Sequence, residues 1–244
     1  MRGLTQHLLQ LLRPSRKTYA AGGLALTAAI LYCGAQPSAT HPPSTGHVWS
    51  VIMGLAILIL GLVVFLGTHI FVTFRDRRAA LIARLGGGYR AIFALVSIAG
   101  LALIIWGYAD YRVHGLIPVW SPPAFMRHIT IGLMLLASIF MAAAFVPSHV
   151  RSKLKHPMLA SIKTWALAHL LSSGDFGSIL LFGSFLAWGV YARIAAKRRG
   201  DLGAVTAPAG WINDVIVLVV GIVLFLVLGY FFHPYAIGVP VFGR

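Results

Sequence analysis

Long apolar runs almost free of charge constrain this chain more than any other feature. They lie approximately at Tyr19 to Ala35, Val48 to Phe71, Ala91 to Tyr108, Ile129 to Val146, Pro157 to Leu171, Phe176 to Ala192 and Val215 to Phe232. Each is near the roughly 20 residues that carry a helix across a bilayer. In lipid a backbone must satisfy its own hydrogen bonds, which a helix does. The runs are continuous, unlike the short alternating segments of a transmembrane barrel. Charged residues make up 10% of the chain, against about a quarter in a soluble domain. The sequence therefore predicts an all-α, polytopic transmembrane helix bundle of about seven spans, with no length left for a separate water-soluble catalytic domain. A single cysteine, Cys33, excludes an intrachain disulfide and any multi-cysteine metal or iron–sulfur site.

The charges that remain are asymmetric. Of 20 basic residues, 16 fall in the N-terminal tail (Arg2 to Lys17), the second loop (Arg75 to Arg90), the fourth (Arg151 to Lys155) and the sixth (Arg193 to Arg199). The opposite loops hold Arg112, Arg127 and Arg244, and Lys163 lies inside a run. Basic loops stay cytoplasmic, so the pattern predicts a cytoplasmic N-terminus and an external C-terminus. The formal charge of +15 is then a topology signal that favours anionic lipid headgroups as partners rather than nucleic acid.

The first run competes with a signal-peptide reading, but no clear A-x-A site follows it, and a retained anchor is expected. Residues 1–47 read as a tail, an extra span and a Pro/Ser/Thr-rich loop, and 48–244 as the main membrane domain. Gly3 to Leu12 and Arg75 to Leu85 read as helices lying on the membrane surface, the second stopped by Gly86-Gly87-Gly88. Gly183 and Ala187 form a small-xxx-small pair suited to close packing.

Ionisable side chains within spans are the default functional candidates. His7, His41, His47 and His114 lie in tails or loops, and His128, His149 and His233 at span ends, leaving His69, His156 and His169. His156 precedes Pro157, a good helix start because the first helical position needs no N–H donor. His169 lies well inside the fifth run, where an imidazole needs a hydrogen bond, a metal or haem iron. His156 and His169 are thirteen residues apart, about 20 Å along a helix and too far for one ion. A metal site would pair one of them with another span, and His69 is the evident partner, although it falls nearer the inner side. Lys163 reads as snorkelling to the interface. Asp175 reads as the N-cap of the sixth helix, two turns from His169.

Several of these residues stand in a wider pattern. His156-Pro157-Met158-Leu159, Trp165-Ala166-Leu167-Ala168-His169-Leu170, Ser173-Gly174-Asp175 and Leu181-Phe182-Gly183 resemble the signature of the NnrU family. Gly67-Thr68-His69, Gly88-Tyr89-Arg90 and the C-terminal His233-Pro234-Tyr235 agree with it, so the resemblance spans roughly residues 50 to 244. The first span looks like an addition to a six-span family core. The resemblance implies a bacterial cytoplasmic-membrane protein linked to nitrite and nitric oxide metabolism in denitrification. The same domain is similar to the plant zeta-carotene isomerase, a haem b membrane enzyme. That similarity implies haem b with His69 and His169 as iron ligands, and nitric oxide or an apolar small molecule as partner. The isomerase carries a cysteine where this chain has Ala166, and a cysteine-based ligand switch is absent here. Three functional expectations follow: a haem-dependent redox role in nitrogen-oxide metabolism, cis–trans isomerisation of a carotenoid-like substrate, and a non-catalytic scaffold or transporter component.

Overall fold

In the computed structural model the residues described are 45–205 and 210–242. The first apolar run and the Gly3 to Leu12 segment lie outside them. Among the described residues the chain is helical, without strands; one isolated bridge joins Pro118 and Asp175. The helices are α1 (Thr45–Phe71), α2 (Arg75–Leu85), α3 (Gly88–His114), α4 (Met126–Phe145), α5 (His149–Leu154), α6 (Pro157–Ser172), α7 (Phe176–Arg198) and α8 (Ile212–Val227), the last continuing as a π-helix over Leu228–Ile237. All belong to one unit, Pro42–Arg244.

Among the described residues five segments are long and apolar enough to cross a membrane: Val48–Phe71, Gly88–His114, Met126–Phe145, Phe176–Arg198 and Ile212–Ile237. The fifth run of the sequence reading is the exception. Its helix, α6, has 16 residues, about 24 Å at 1.5 Å per residue, against a hydrocarbon core of about 30 Å. It packs between α4 and α7. Two hydroxyls tie it to α4: Ser161 Oγ donates to the Ala137 carbonyl at 2.7 Å, and Thr130 Oγ1 to the Ala168 carbonyl at 3.0 Å.

The helices pack in the order α3, α1, α7, α6, α4, α8. Of these, α1 and α7 run parallel, as Phe65 meets Phe185, His69 meets Trp188 and Thr73 meets Tyr191, and the other neighbours run antiparallel. The α1–α3 seam is made by glycines. A Cβ at Gly54 would lie 2.6 Å from Tyr111 N, one at Gly61 2.6 Å from Ile104 N, and one at Gly100 2.8 Å from Phe65 N. Lipid supplies no hydrophobic drive between helices, so backbone-to-backbone approach of this kind is what holds them together. Gly183 takes no part in such a crossing, because a Cβ there would meet nothing within 4 Å. The outward faces are apolar, with Ile98, Val63 and Trp106 each more than 60% exposed, as a lipid-facing surface requires.

Alternation of the helices collects the described basic loops at one end. There α2 carries Arg75, Arg77, Arg78 and Arg84 with no buried residue, as a surface helix should, and it ends where Gly86 takes φ +55°. Asp214 pins α8 to α5 at this end, accepting from His149 Nδ1 at 2.6 Å and from the Val150 amide at 3.1 Å. At the other end the 115–125 loop is clamped to the α6–α7 turn. The Val119 and Trp120 amides both donate to the Gly174 carbonyl, and the Phe176 amide to that of Ile117.

Candidate functional site

His169 sits in the last turn of α6, with its ring 4.5 Å from Phe182 of α7 and 5.3 Å from Trp165. Its Nδ1 lies 2.9 Å from the Trp165 carbonyl, one helical turn back. A carbonyl only accepts, so Nδ1 carries the proton and, in the neutral ring, Nε2 holds the free lone pair. His69, near the end of α1, is arranged in the same way: Nδ1 donates to the Phe65 carbonyl at 2.7 Å. Its ring is caged by Phe65 at 4.3 Å, Phe93 at 5.5 Å and Trp188 at 5.7 Å.

The structure does not bring these two imidazoles against each other. A run of aromatic rings fills the interval. Phe65 lies 5.8 Å from Phe185, Phe185 5.5 Å from Trp165, and Trp165 beside His169. Leu58, Leu62, Leu66, Ala166, Leu181 and Phe182 pack around them as the buried core.

The ring that does face His169 is His233. Their centroids are 6.1 Å apart and their planes differ by 19°. Sequence reasoning placed His233 at a span end and set it aside. It does lie near the end of the Ile212–Ile237 segment, in the π-helical continuation of α8, where its Nδ1 donates to the Leu228 carbonyl, five residues back, at 3.0 Å. Pro234 inside that segment offers no N–H to the ladder. The wider turn changes the angular spacing of side chains, so a 3.6-residue wheel misplaces His233. The available signal was the rule that a histidine in an apolar segment is a candidate until shown otherwise.

The remaining candidates have structural partners. Asp175 caps α7, accepting from the Ser178 amide at 2.9 Å, and is not paired with His169. His156 stands before Pro157 at the start of α6 and donates through Nε2 to the Asp201 carbonyl at 3.3 Å. Lys163 lays its aliphatic stem across Gly189 of α7, where a Cβ would come within 2.7 Å of its Cγ. Close to His169 lies a polar network the sequence did not reveal. Tyr108, edge-on to Phe182, hydrogen-bonds Ser178 at 2.7 Å, and fully buried Tyr111 accepts from the Ile117 amide at 2.8 Å.

This arrangement sets two imidazoles from separate helices side by side, each with Nδ1 held by its own helix, next to Phe182 and Trp165. The centroid separation of 6.1 Å is about that of two imidazoles that share one metal ion, each bonded at about 2.0–2.1 Å. No group of three or more His, Cys, Asp or Glu suited to a metal ion occurs among the described residues. The chain of ring contacts from Phe65 through Phe185 to Trp165 runs between the cage of His69 and the ring of His169. A family model described as NnrU protein matches residues 57–241. No curated protein and no solved structure matches the chain.

Proposed function

The chain belongs to the NnrU family, and from that membership we propose that it is a haem b protein of the bacterial cytoplasmic membrane with a redox role in nitrogen-oxide metabolism. The basic end of the bundle faces the cytoplasm. The observation that carries the reading is the His169–His233 pair, with Nδ1 of each ring held by its own helix and Nε2 free. His169 and His233 would hold the iron, and His69 would stand apart in its aromatic cage. Haem supplies one-electron chemistry and affinity for small diatomic ligands. The chain's own residues supply the rest. The carbonyls of Trp165 and Leu228 orient the imidazoles and raise their basicity. Phe182 and Trp165 exclude water, and the Phe65–Phe185–Trp165 run joins His69 to the site through packed rings.

The test is the absorption spectrum of the purified protein, oxidised and dithionite-reduced, after expression with ample haem. A six-coordinate low-spin spectrum is expected. His169→Ala should abolish it, His233→Ala should convert it to a five-coordinate high-spin form, and His69→Ala should leave the spin state unchanged. Absence of a Soret band overturns the proposal. Conversion by His69→Ala with no effect of His233→Ala would overturn the ligand assignment.

A further inference from the structure

At the basic end a cavity of about 210 Å³ opens between α4, α5 and the first turn of α6. Its polar wall is Arg151, Lys155 and His156, and its apolar wall includes Ala144, Met158 and Leu159. Lys155 is the one non-glycine residue with positive φ among those described, at +63°, a conformation that L side chains avoid. It is held there from both sides. Its amide donates to the Arg151 carbonyl at 2.9 Å, and its carbonyl accepts from the Ala204 amide at 2.8 Å. Backbone outliers held in place by the surrounding structure cluster at ligand-binding and functional sites.

The acid near this wall is Asp201. Its carboxylate is engaged by the Gly203 amide at 2.9 Å, and its carbonyl receives His156 Nε2. No ion pair joins an acid to Arg151 or Lys155 among the described residues. The first turn of α6 lines the cavity and adds the positive end of its helix dipole.

We infer that this cavity binds the headgroup phosphate of an anionic membrane phospholipid. Cations and apolar side chains lining one cavity at the basic end of a membrane bundle match a phosphate with an attached acyl glycerol better than a free anion. Basic pockets between transmembrane helices recognise lipid headgroups by this combination. The site is independent of the histidine pair, which lies toward the opposite end.

The test uses full-length protein in detergent, delipidated and titrated with dioleoyl phosphatidylglycerol, dioleoyl phosphatidylcholine or inorganic phosphate, with bound adducts counted by native mass spectrometry. Phosphatidylglycerol should bind saturably. Arg151→Gln with Lys155→Gln should weaken it about 30-fold, given about 1 kcal/mol per basic residue at a lipid surface. Lys155→Gly removes the charge while relieving the backbone strain, so it should weaken binding in a protein at least as stable as the parent. Lys153→Gln, on an exposed lysine outside the cavity, should change nothing. Equal binding of phosphatidylcholine, an equal loss with Lys153→Gln, full retention in Lys155→Gly and the double variant, or equally tight inorganic phosphate would each overturn the assignment.

Discussion

Replacing Gly61 by alanine tests whether the glycine seam holds α1 against α3. The added Cβ would meet Ile104 N at 2.6 Å, Leu103 C at 2.9 Å and the Gly100 carbonyl at 3.0 Å, whereas ordinary contact begins at 3.4 Å. All three atoms are backbone, so no rotamer can give way, and the helices must part locally by about 0.8 Å. A gap of that size forfeits a quarter to a half of each contact of about 0.1–0.2 kcal/mol. Over a few tens of atom pairs the loss is about 1–2 kcal/mol, in the range of overpacking penalties. Against this stands the gain from glycine to alanine inside a helix, about 0.5–1 kcal/mol. The net effect at Gly61 is destabilisation of about 1 kcal/mol. Gly183→Ala is the matched control. A Cβ there meets nothing within 4 Å, so only the helix-propensity gain remains. The two variants should therefore shift stability in opposite directions, by about 2 kcal/mol in total, or roughly 4–8 °C for a chain of this size. Thermal unfolding of the purified proteins, followed by circular dichroism in one detergent, reads the difference. A Gly61→Ala protein as stable as Gly183→Ala would refute the seam.

Three further outcomes are expected. Tyr111→Phe deprives the Ile117 amide of its acceptor in a part-buried hydrogen bond; it should cost about 0.5–1.5 kcal/mol and lower the unfolding temperature, with no change in helix content. Asp175→Ala should lose the α7 cap, at about 1 kcal/mol, and Asp175→Asn should recover most of it in the same assay, because asparagine caps nearly as well. Asp214→Asn should loosen the tie between α8 and α5, read as faster hydrogen exchange over 148–155 and 212–216 with unchanged exchange at Tyr111; equal exchange in both proteins would show that the tie is not maintained.

Much of the local structure was legible in the residues. The apolar runs marked the helices because lipid leaves a backbone no other arrangement. His156-Pro157 marked the start of α6 and Asp175 the start of α7, because the groups that satisfy a helix end are adjacent in sequence. The Arg-rich stretch after α1 and its glycine stop marked the surface helix α2. Gly183-Ala187 misled for the same reason that it attracted notice. Spacing says which residues share a helix face, but not whether another helix passes over it.

The sequence alone determined an α-helical membrane protein with one basic end, since both properties follow from what each segment can tolerate next to lipid or headgroups. It also singled out histidine as the chemistry available inside the bundle, since five aspartates and no glutamate leave little else. Tertiary structure decided which histidines meet. The packing of α1, α7 and α6 links the Phe65, Phe185 and Trp165 rings from the cage of His69 to His169, and the π-helical segment with Pro234 sets His233 beside His169. Pairing across helices depends on axial offsets and helix rotation, which are set by glycine contacts and ring packing far apart in sequence, and no single-helix periodicity carries that information.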